Sequence, residues 1–329
     1  MNVKPVISVL MPVHNADKTL NQAVWSVLNQ SLEDFELLIY LDGCTDKSTE
    51  IIANFTDERI KVFADIENKG IVFGRNFLVQ KATGKYIAWL DADDLMLPKR
   101  LSTQFNFLEV HPDIFILGSW VEVRNNKKVK QVKWPTSSDL LKTWLFFRNP
   151  LVQSSLMLRN ERSKIKFESD FEYLEDYRFY STIYLQNKIA IYPAFLCSYF
   201  QDSQTELIHK YRKYDFVGKL ESIMKSNLTL LNIKLNSNEL ALLREFLRSN
   251  HRFKKTEQTL LLSIFKQINT ANKIMHIFDP YSLQKILVYQ CLRLLKNNGF
   301  MHLKTWAYIF IHPQYWFSFF FVGMKIKSK

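Results

Sequence analysis

Cysteine is nearly missing from this chain. Three residues in 329, Cys44, Cys197 and Cys291, stand with no metal-type spacing between them. That excludes a disulfide framework and a thiolate metal centre, and an odd, sparse count fits a reducing compartment. Glycine is also scarce, at eight, and no Gly-rich linker or internal repeat is present. The first apolar run ends in Pro12-Val13-His14-Asn15 instead of the Gly-rich turn that a dinucleotide-dependent oxidoreductase needs, so that enzyme class fits poorly. The start, Met1-Asn2-Val3-Lys4-Pro5, has neither the apolar run nor the small-residue cleavage site of a signal peptide, and a cytoplasmic protein is expected. The aromatic stretch Trp306–Val322 is cut by His312-Pro313-Gln314 into two runs, each short of the roughly 20 residues a spanning helix needs.

Acid is what the second part of the chain lacks. Residues 1–200 carry 24 Lys and Arg against 24 Asp and Glu, whereas residues 201–329 carry 20 against 8. The whole net charge of +12 therefore sits in the second part, which marks a boundary near 200–215 and divides the chain into a domain of residues 1–210 and a region of residues 211–329. A basic region of this kind points to a polyanionic surface, membrane lipid or nucleic acid. No recognised nucleic-acid-binding motif is present, so nucleic acid is not expected as the partner.

What is there is a chain 47% hydrophobic and 14% aromatic, enough for a substantial core. Val6–Val13 is a β-branched apolar run that reads as a buried strand. Leu20, Ala23, Val24, Val27 and Leu28 follow at helical spacing, behind Asn15 and Asp17 as caps. Phe35–Leu41 is a second strand, followed by a helix through Phe55 capped by Thr45 or Asp46. Ile60–Phe63 is a third strand, and a helix carrying Arg75 and Asn76 ends at Gly84 as its C-cap. Then Lys85–Leu90 reads as a strand running into Asp91-Ala92-Asp93-Asp94. Strand and helix in this alternation predict an α/β fold, a mostly parallel sheet with flanking helices, and a helical C-terminal region after it. Later strands are expected at 114–121, 151–158 and 189–192, a helix at 98–110, a basic turn at 124–130, and helices at 240–248, 260–268 and 283–295.

In parallel sheets ligands bind beyond the carboxyl ends of the strands, and His14-Asn15, Asp42, Lys69 and the Asp91–Asp94 turn all fall at such ends. Carboxylates at i and i+2 on a turn can reach one hard cation, and Mg²⁺ is held by one or two of them plus a substrate's phosphates. The competing reading is a solvated Asp-rich turn, with Asp94 capping the next helix. Trp89, alternating on a buried strand, reads as core.

Ser8-Val9-Leu10-Met11-Pro12-Val13-His14-Asn15, Asp42-Gly43-Cys44-Thr45-Asp46, Asn68-Lys69-Gly70 with Arg75-Asn76, Gly84-Lys85-Tyr86-Ile87 and Asp91-Ala92-Asp93-Asp94, in this order, resemble the family 2 inverting glycosyltransferases over residues 6–205. The resemblance implies the A-type glycosyltransferase fold, with a Rossmann-like nucleotide-binding half. It implies transfer of a sugar from a nucleotide-diphosphate donor, a UDP-sugar first among the candidates, to a saccharide or lipid-linked saccharide in cell-surface polysaccharide or glycolipid synthesis, with Mn²⁺ or Mg²⁺ as cofactor. Position by position it implies Pro12, His14 and Asn15 beside the nucleotide, Asp42 on the base, Lys69 in donor binding and Arg75 near the base or diphosphate. Asp91 faces the ribose or shares the metal, and Asp93 binds the metal between the phosphates. Glu175-Asp176 matches the family's carboxylate pair, with Asp176 as the base and Glu175 touching acceptor or donor sugar. Adjacent acids at a helix start also suit the positive end of the helix dipole. The sequence departs from the family at Tyr199-Phe200-Gln201-Asp202-Ser203, where a Tyr-Arg-x-His is usual. His209 is the nearest substitute as a metal or diphosphate ligand. That departure keeps an alternative in view, a catalytically degenerate transferase-like protein that only binds partners.

For the basic C-terminal region, the expected role is peripheral attachment to the inner face of the cell membrane. Aromatics favour the interface, lysines favour anionic headgroups, and such attachment suits a lipid-linked acceptor. A helical domain with its cations in solvent is the other reading.

Overall fold

The computed structural model describes residues 4–125, 128–200, 215–248 and 252–298. It divides into two compact units: residues up to Ser138 with Pro150–Phe216, and Asp139–Asn149 with the residues from Val217 onward.

In the first unit β1 (Ile7–Val13), β2 (Phe35–Asp42), β3 (Ile60–Asp65) and β4 (Tyr86–Trp89) run parallel in the order β3-β2-β1-β4. Every residue of β1, β2 and β4 is buried, as continuous apolar runs must be when a parallel sheet is covered on both faces. Three helices connect them. α1 (Leu20–Leu28) buries Leu20, Ala23, Val24 and Val27, α2 (Ser48–Ala53) buries Ile52, and α3 (Ile71–Lys81) buries Val72, Leu78 and Val79. β3 is the sheet edge and its residues are at most half-buried. At the amino ends of the strands the buried Glu36 accepts from Ser8 Oγ (2.6 Å), Lys61 Nζ (2.7 Å) and Thr83 N (2.8 Å), which fastens three strands together away from the site.

The second half of the sheet is mixed. β5 (Leu95–Met96), α4 (Arg100–Val110), β6 (Ile114–Asn125), β7 (Lys128–Val132), β8 (Met157–Arg159), α6 (Glu175–Ile183) and β9 (Lys188–Phe200) extend it in the order β4-β8-β6-β9-β5, with β7 paired to β6. β8 is antiparallel to both β4 and β6, whereas β6 and β9 are parallel. The α/β architecture with flanking helices and a helical C-terminal region is thus as expected.

The second unit is helical, built from α5 (Ser138–Phe147), α7 (Phe216–Thr229), α8 (Ser237–Arg248), α9 (Lys255–Met275) and α10 (Pro280–Asn298). Its core packs Trp144 edge-on against Tyr289 and Phe146 edge-on against Phe278, at 5.2 and 5.1 Å between ring centroids. The buried Asn227 donates to the carbonyls of Leu145 and Phe146 at the end of α5. Among the described residues no helix is long and apolar enough to cross a membrane. Trp306–Val322 and His209 lie outside the described residues.

Several local expectations are corrected. α3 ends at Lys81, not at Gly84. Gly84 is there for close approach: a β-carbon on it would lie 2.6 Å from Ser8 N. Residues 151–158 form a 3-10 turn, Gln153–Ser155, before the short β8, because their polar side chains bond to neighbouring elements. The basic stretch 124–130, expected as a turn, is where β6 gives way to its antiparallel partner β7, with Asn125 opposite Lys128. Asp94 does not cap α4, whose N-cap is Lys99, and Asn15 does not cap α1, whose N-cap is Thr19.

Candidate active site

Because β1, β2, β3 and β4 are parallel, their carboxyl ends share one edge of the sheet, and the side chains that follow each strand meet there. His14 follows β1. Its Nδ1 lies 2.6 Å from the Asp42 carbonyl, which places a proton on Nδ1 and leaves Nε2 to accept from Asn68 Nδ2 (3.1 Å). Asn15 adopts a left-handed φ of 50° and its Oδ1 accepts from Thr45 N (2.8 Å). Asp42 closes β2, and its buried carboxylate accepts from Lys69 N (2.7 Å) and Gly70 N (2.9 Å). Gly43, at φ +56°, is needed here, since a β-carbon would lie 2.4 Å from Asn68 N. The β1, β2 and β3 loops are thereby locked to one another. Lys69 Nζ pairs with Asp65 (2.9 Å), whose other oxygen accepts from Tyr40 Oη (2.5 Å). Pro12, buried in β1, completes this group.

A second group forms where α3, β4 and α6 meet. Arg75 is buried, with its guanidinium 6.0 Å from the Trp89 ring and 5.7 Å from Phe167. Its Nη1 donates to Glu175 Oε1 (2.5 Å) and its Nη2 to Asp91 Oδ1 (3.3 Å). One buried cation thus joins the turn after β4 to the start of α6, across 100 residues of chain. Arg75 Nε and Glu175 Oε2 are buried without hydrogen-bond partners. Burial pushes the Glu175 carboxyl up to about 7 against the pull of Arg75, and the same cause raises the half-buried Asp176. Desolvation outweighs attraction at both, so the pair can hold protons nearer neutrality than ordinary carboxylates. Glu172, just before α6, brings Oε1 within 3.3 Å of where a β-carbon on Gly70 would lie, which carries this loop to the first group.

The Asp91–Asp94 turn divides its three acids. Asp91, half-buried, faces Arg75, and its N–H donates to Ser154 Oγ (3.0 Å). Asp93 is exposed. Asp94 is buried, and its Oδ1 accepts from Phe200 N (2.7 Å), which pins the end of β9. Burial and the charges of Asp93 and Asp91 hold the Asp94 carboxyl well above the usual range. Among the described residues no three His, Cys, Asp or Glu side chains gather as a metal cluster. A cation held through a substrate's phosphates does not require one. It needs hard oxygen donors, and Asp91 with the exposed Asp93 supplies that donor set at i and i+2.

The structure therefore brings together Pro12, His14, Asn15, Asp42 and Lys69 on one side, and Arg75, Asp91, Glu175 and Asp176 on the other. Within the chain Arg75 bonds to two carboxylates, and Lys69 Nζ to Asp65. Sequence reasoning missed Ser154, Phe167 and Glu172. Ser154 lay in a stretch read as strand, and no local pattern pairs it with Asp91.

The family model for glycosyl transferase family 2 matches residues 8–182. A relative from Escherichia coli, the UDP-Glc:alpha-D-GlcNAc-diphosphoundecaprenol beta-1,3-glucosyltransferase WfgD, is 30% identical over 206 residues, 61% of this chain and 79% of its own length. S. aureus TarS 1-349, solved in complex with UDP-GlcNAc, superposes with a TM-score of 0.59 at 19% identity, covering 95% of this chain and 92% of that one. The mannosyltransferase PcManGT from Pyrobaculum calidifontis, solved with GDP-Man and Mn²⁺, gives 0.55 at 12% identity, covering 99% and 89%. At these identities the two structures establish a shared fold alone.

Proposed function

The chain belongs to glycosyl transferase family 2, and from that premise we propose that it transfers a sugar, with inversion, from a UDP-sugar to a lipid-linked saccharide in cell-surface polysaccharide synthesis. The observation that carries this reading is the Arg75 bridge, which holds the Asp91 turn and the Glu175-Asp176 helix start on one buried cation. A donor-side carboxylate and a candidate base are thereby set in one place, as an inverting displacement requires.

In this reading Pro12, His14, Asn15 and Asp42 hold the nucleotide. The Asp42 oxygens that accept backbone amides each retain a lone pair, so one can still accept from a base N–H. Lys69 lies at the rim of that group. A divalent Mg²⁺ or Mn²⁺ would be held by Asp93 with Asp91, and when bound supplies charge neutralisation for the departing diphosphate. The acceptor hydroxyl attacks the anomeric carbon from the face opposite the nucleotide. The carbon–oxygen bond to the diphosphate breaks with both electrons going to UDP, and Asp176 takes the hydroxyl proton. Its raised pKa makes it a stronger base than an exposed carboxylate. Glu175, tied to Arg75, orients the helix start that carries Asp176. WfgD's name, with its UDP-glucose donor and diphosphoundecaprenol-linked acceptor, supports the choice of nucleotide and acceptor class, and PcManGT's complex with Mn²⁺ is in keeping with the cation. The acceptor class also suits peripheral contact with the inner face of the cell membrane through the basic C-terminal region.

Thermal shift tests the donor side. UDP with Mn²⁺ should raise Tm, because a ligand that binds only the folded state stabilises it by mass action, and Asp93→Ala should abolish the metal-dependent part. An Asp93→Ala protein with the full metal-dependent shift would remove the assignment.

A further inference from the structure

Among its described residues the helical unit presents an exposed apolar corner. α9 ends at Met275 and α10 begins at Pro280, and the four residues between them turn the chain sharply, with His276 at a left-handed φ of 53°. The turn is rigid. The buried Asn272 accepts from Phe278 N (2.8 Å) and donates to the Phe278 carbonyl (2.9 Å), and Asp279 accepts from Ser282 N (2.7 Å) at the start of α10. On this turn Ile274 is 73% exposed, Tyr281 49% and Met275 37%. Single exposed apolar side chains are ordinary, and Ile66 and Val110 are others in this chain, but here three stand together within eight residues.

Cations surround them. Lys273 precedes the exposed pair, and Lys285 places Nζ 5.9 Å from the Tyr281 ring. Asn232, from the link between α7 and α8, reaches Met275 Sδ, and Lys234 follows it. Asp279 is the one acid in residues 272–286, and its carboxylate is engaged in the Ser282 cap. The helices behind the corner share the bias: residues 217–298 hold thirteen Lys and Arg against five Asp and Glu.

We propose that this corner is a membrane-seating surface, in which Ile274, Met275 and Tyr281 enter the headgroup layer of an anionic bilayer while Lys273, Lys285 and Lys234 meet its phosphates. An apolar tip ringed by cations matches a lipid surface on both counts. The tip reaches the acyl boundary, the aromatic hydroxyl stays at the interface, and the lysines gain from negative headgroups. A protein partner would instead have to match both the protruding tip and the ring of like charge. The proposal rests on the lipid-linked acceptor reading above and names where the chain would touch the membrane that holds such an acceptor.

Flotation of the full chain with phosphatidylglycerol vesicles, and separately with phosphatidylcholine vesicles, tests it. The wild type should float with the anionic vesicles, weaken as salt is raised, and float poorly with the zwitterionic ones. Ile274→Ser/Tyr281→Ser and, independently, Lys273→Glu/Lys285→Glu should each weaken anionic-vesicle binding at least tenfold. Transfer to a soluble saccharide acceptor should be unchanged in both, which separates this surface from the catalytic assignment. Wild-type binding with both variants unaffected would overturn the corner. A wild type that ignores vesicles and self-associates through this turn, with the association lost in the variants, would show a second copy as the occupant and overturn the proposal. No transfer to a detergent-solubilised lipid-linked saccharide in wild type and variants alike, with vesicle binding intact, would leave the corner standing and remove the acceptor reading.

Discussion

The two groups at the sheet edge handle charge in opposite ways. Around Asp42 each buried carboxylate oxygen accepts a backbone amide, His14 spends both ring nitrogens on neighbours, and the loops close on one another. Around Arg75 a fully desolvated cation serves two carboxylates and leaves one nitrogen and one oxygen unbonded, with both acids of α6 raised. A satisfied cage is rigid and suits a moiety that does not change during reaction, which fits the proposed nucleotide end. Under-satisfied, shifted groups belong where a proton moves.

Four substitutions would break or sharpen this contrast. The largest effect should come from Asp176→Asn. It removes the proposed base while keeping size and hydrogen bonding, so turnover should fall by about 10²–10⁴-fold with UDP affinity unchanged. An unaltered rate would assign the proton elsewhere. Next is Arg75→Met, which leaves Asp91 and Glu175 facing each other without their cation. Removing one partner of a buried ion pair costs about 3–5 kcal/mol, readable in denaturant unfolding. Asp42→Ala should cost less, about 1.5–3 kcal/mol, since it removes charge-assisted acceptors from two amides that can partly turn to water. If Asp42→Ala proved the more damaging, the contrast would be inverted.

The smallest effect is the pH dependence of Glu175. Its folded-state value of about 7 exceeds the ordinary 4.5, so the folded protein keeps a proton there that the unfolded chain has released. The associated stability is whole below about 4.5 and is lost as pH rises through about 7. The stability difference between wild type and Glu175→Gln should therefore move against the wild type over that window. In activity, the acid limb should lie above the range of an exposed aspartate, because burial raises Asp176.

Much of the first half was legible in the sequence. β1, β2 and β4 are continuous apolar runs, so each strand announces itself and its end, and the carboxylates at those ends are read with it. The pair Glu175-Asp176 was visible as adjacent acids at a helix start. The second half was harder to read. β8 is three residues long and Gln153–Ser155 carries no period, so a strand was expected where a polar turn stands. α5 and α7 escaped the reading entirely. α5 lies within the span of the first unit and packs in the second, and no linear boundary conveys that.

What the sequence alone determined is the order of elements, the parallel first half, and which acids stand at strand and helix ends, because those depend on periods of two and 3.6 residues within a short window. What only the tertiary structure decided is how those acids are used. Arg75 meets Glu175 across 100 residues and Phe200 meets Asp94 across 106. At such separations no local pattern encodes the partner. The sheet order places them together, and the low-dielectric interior then sets which of them pair and which hold their protons.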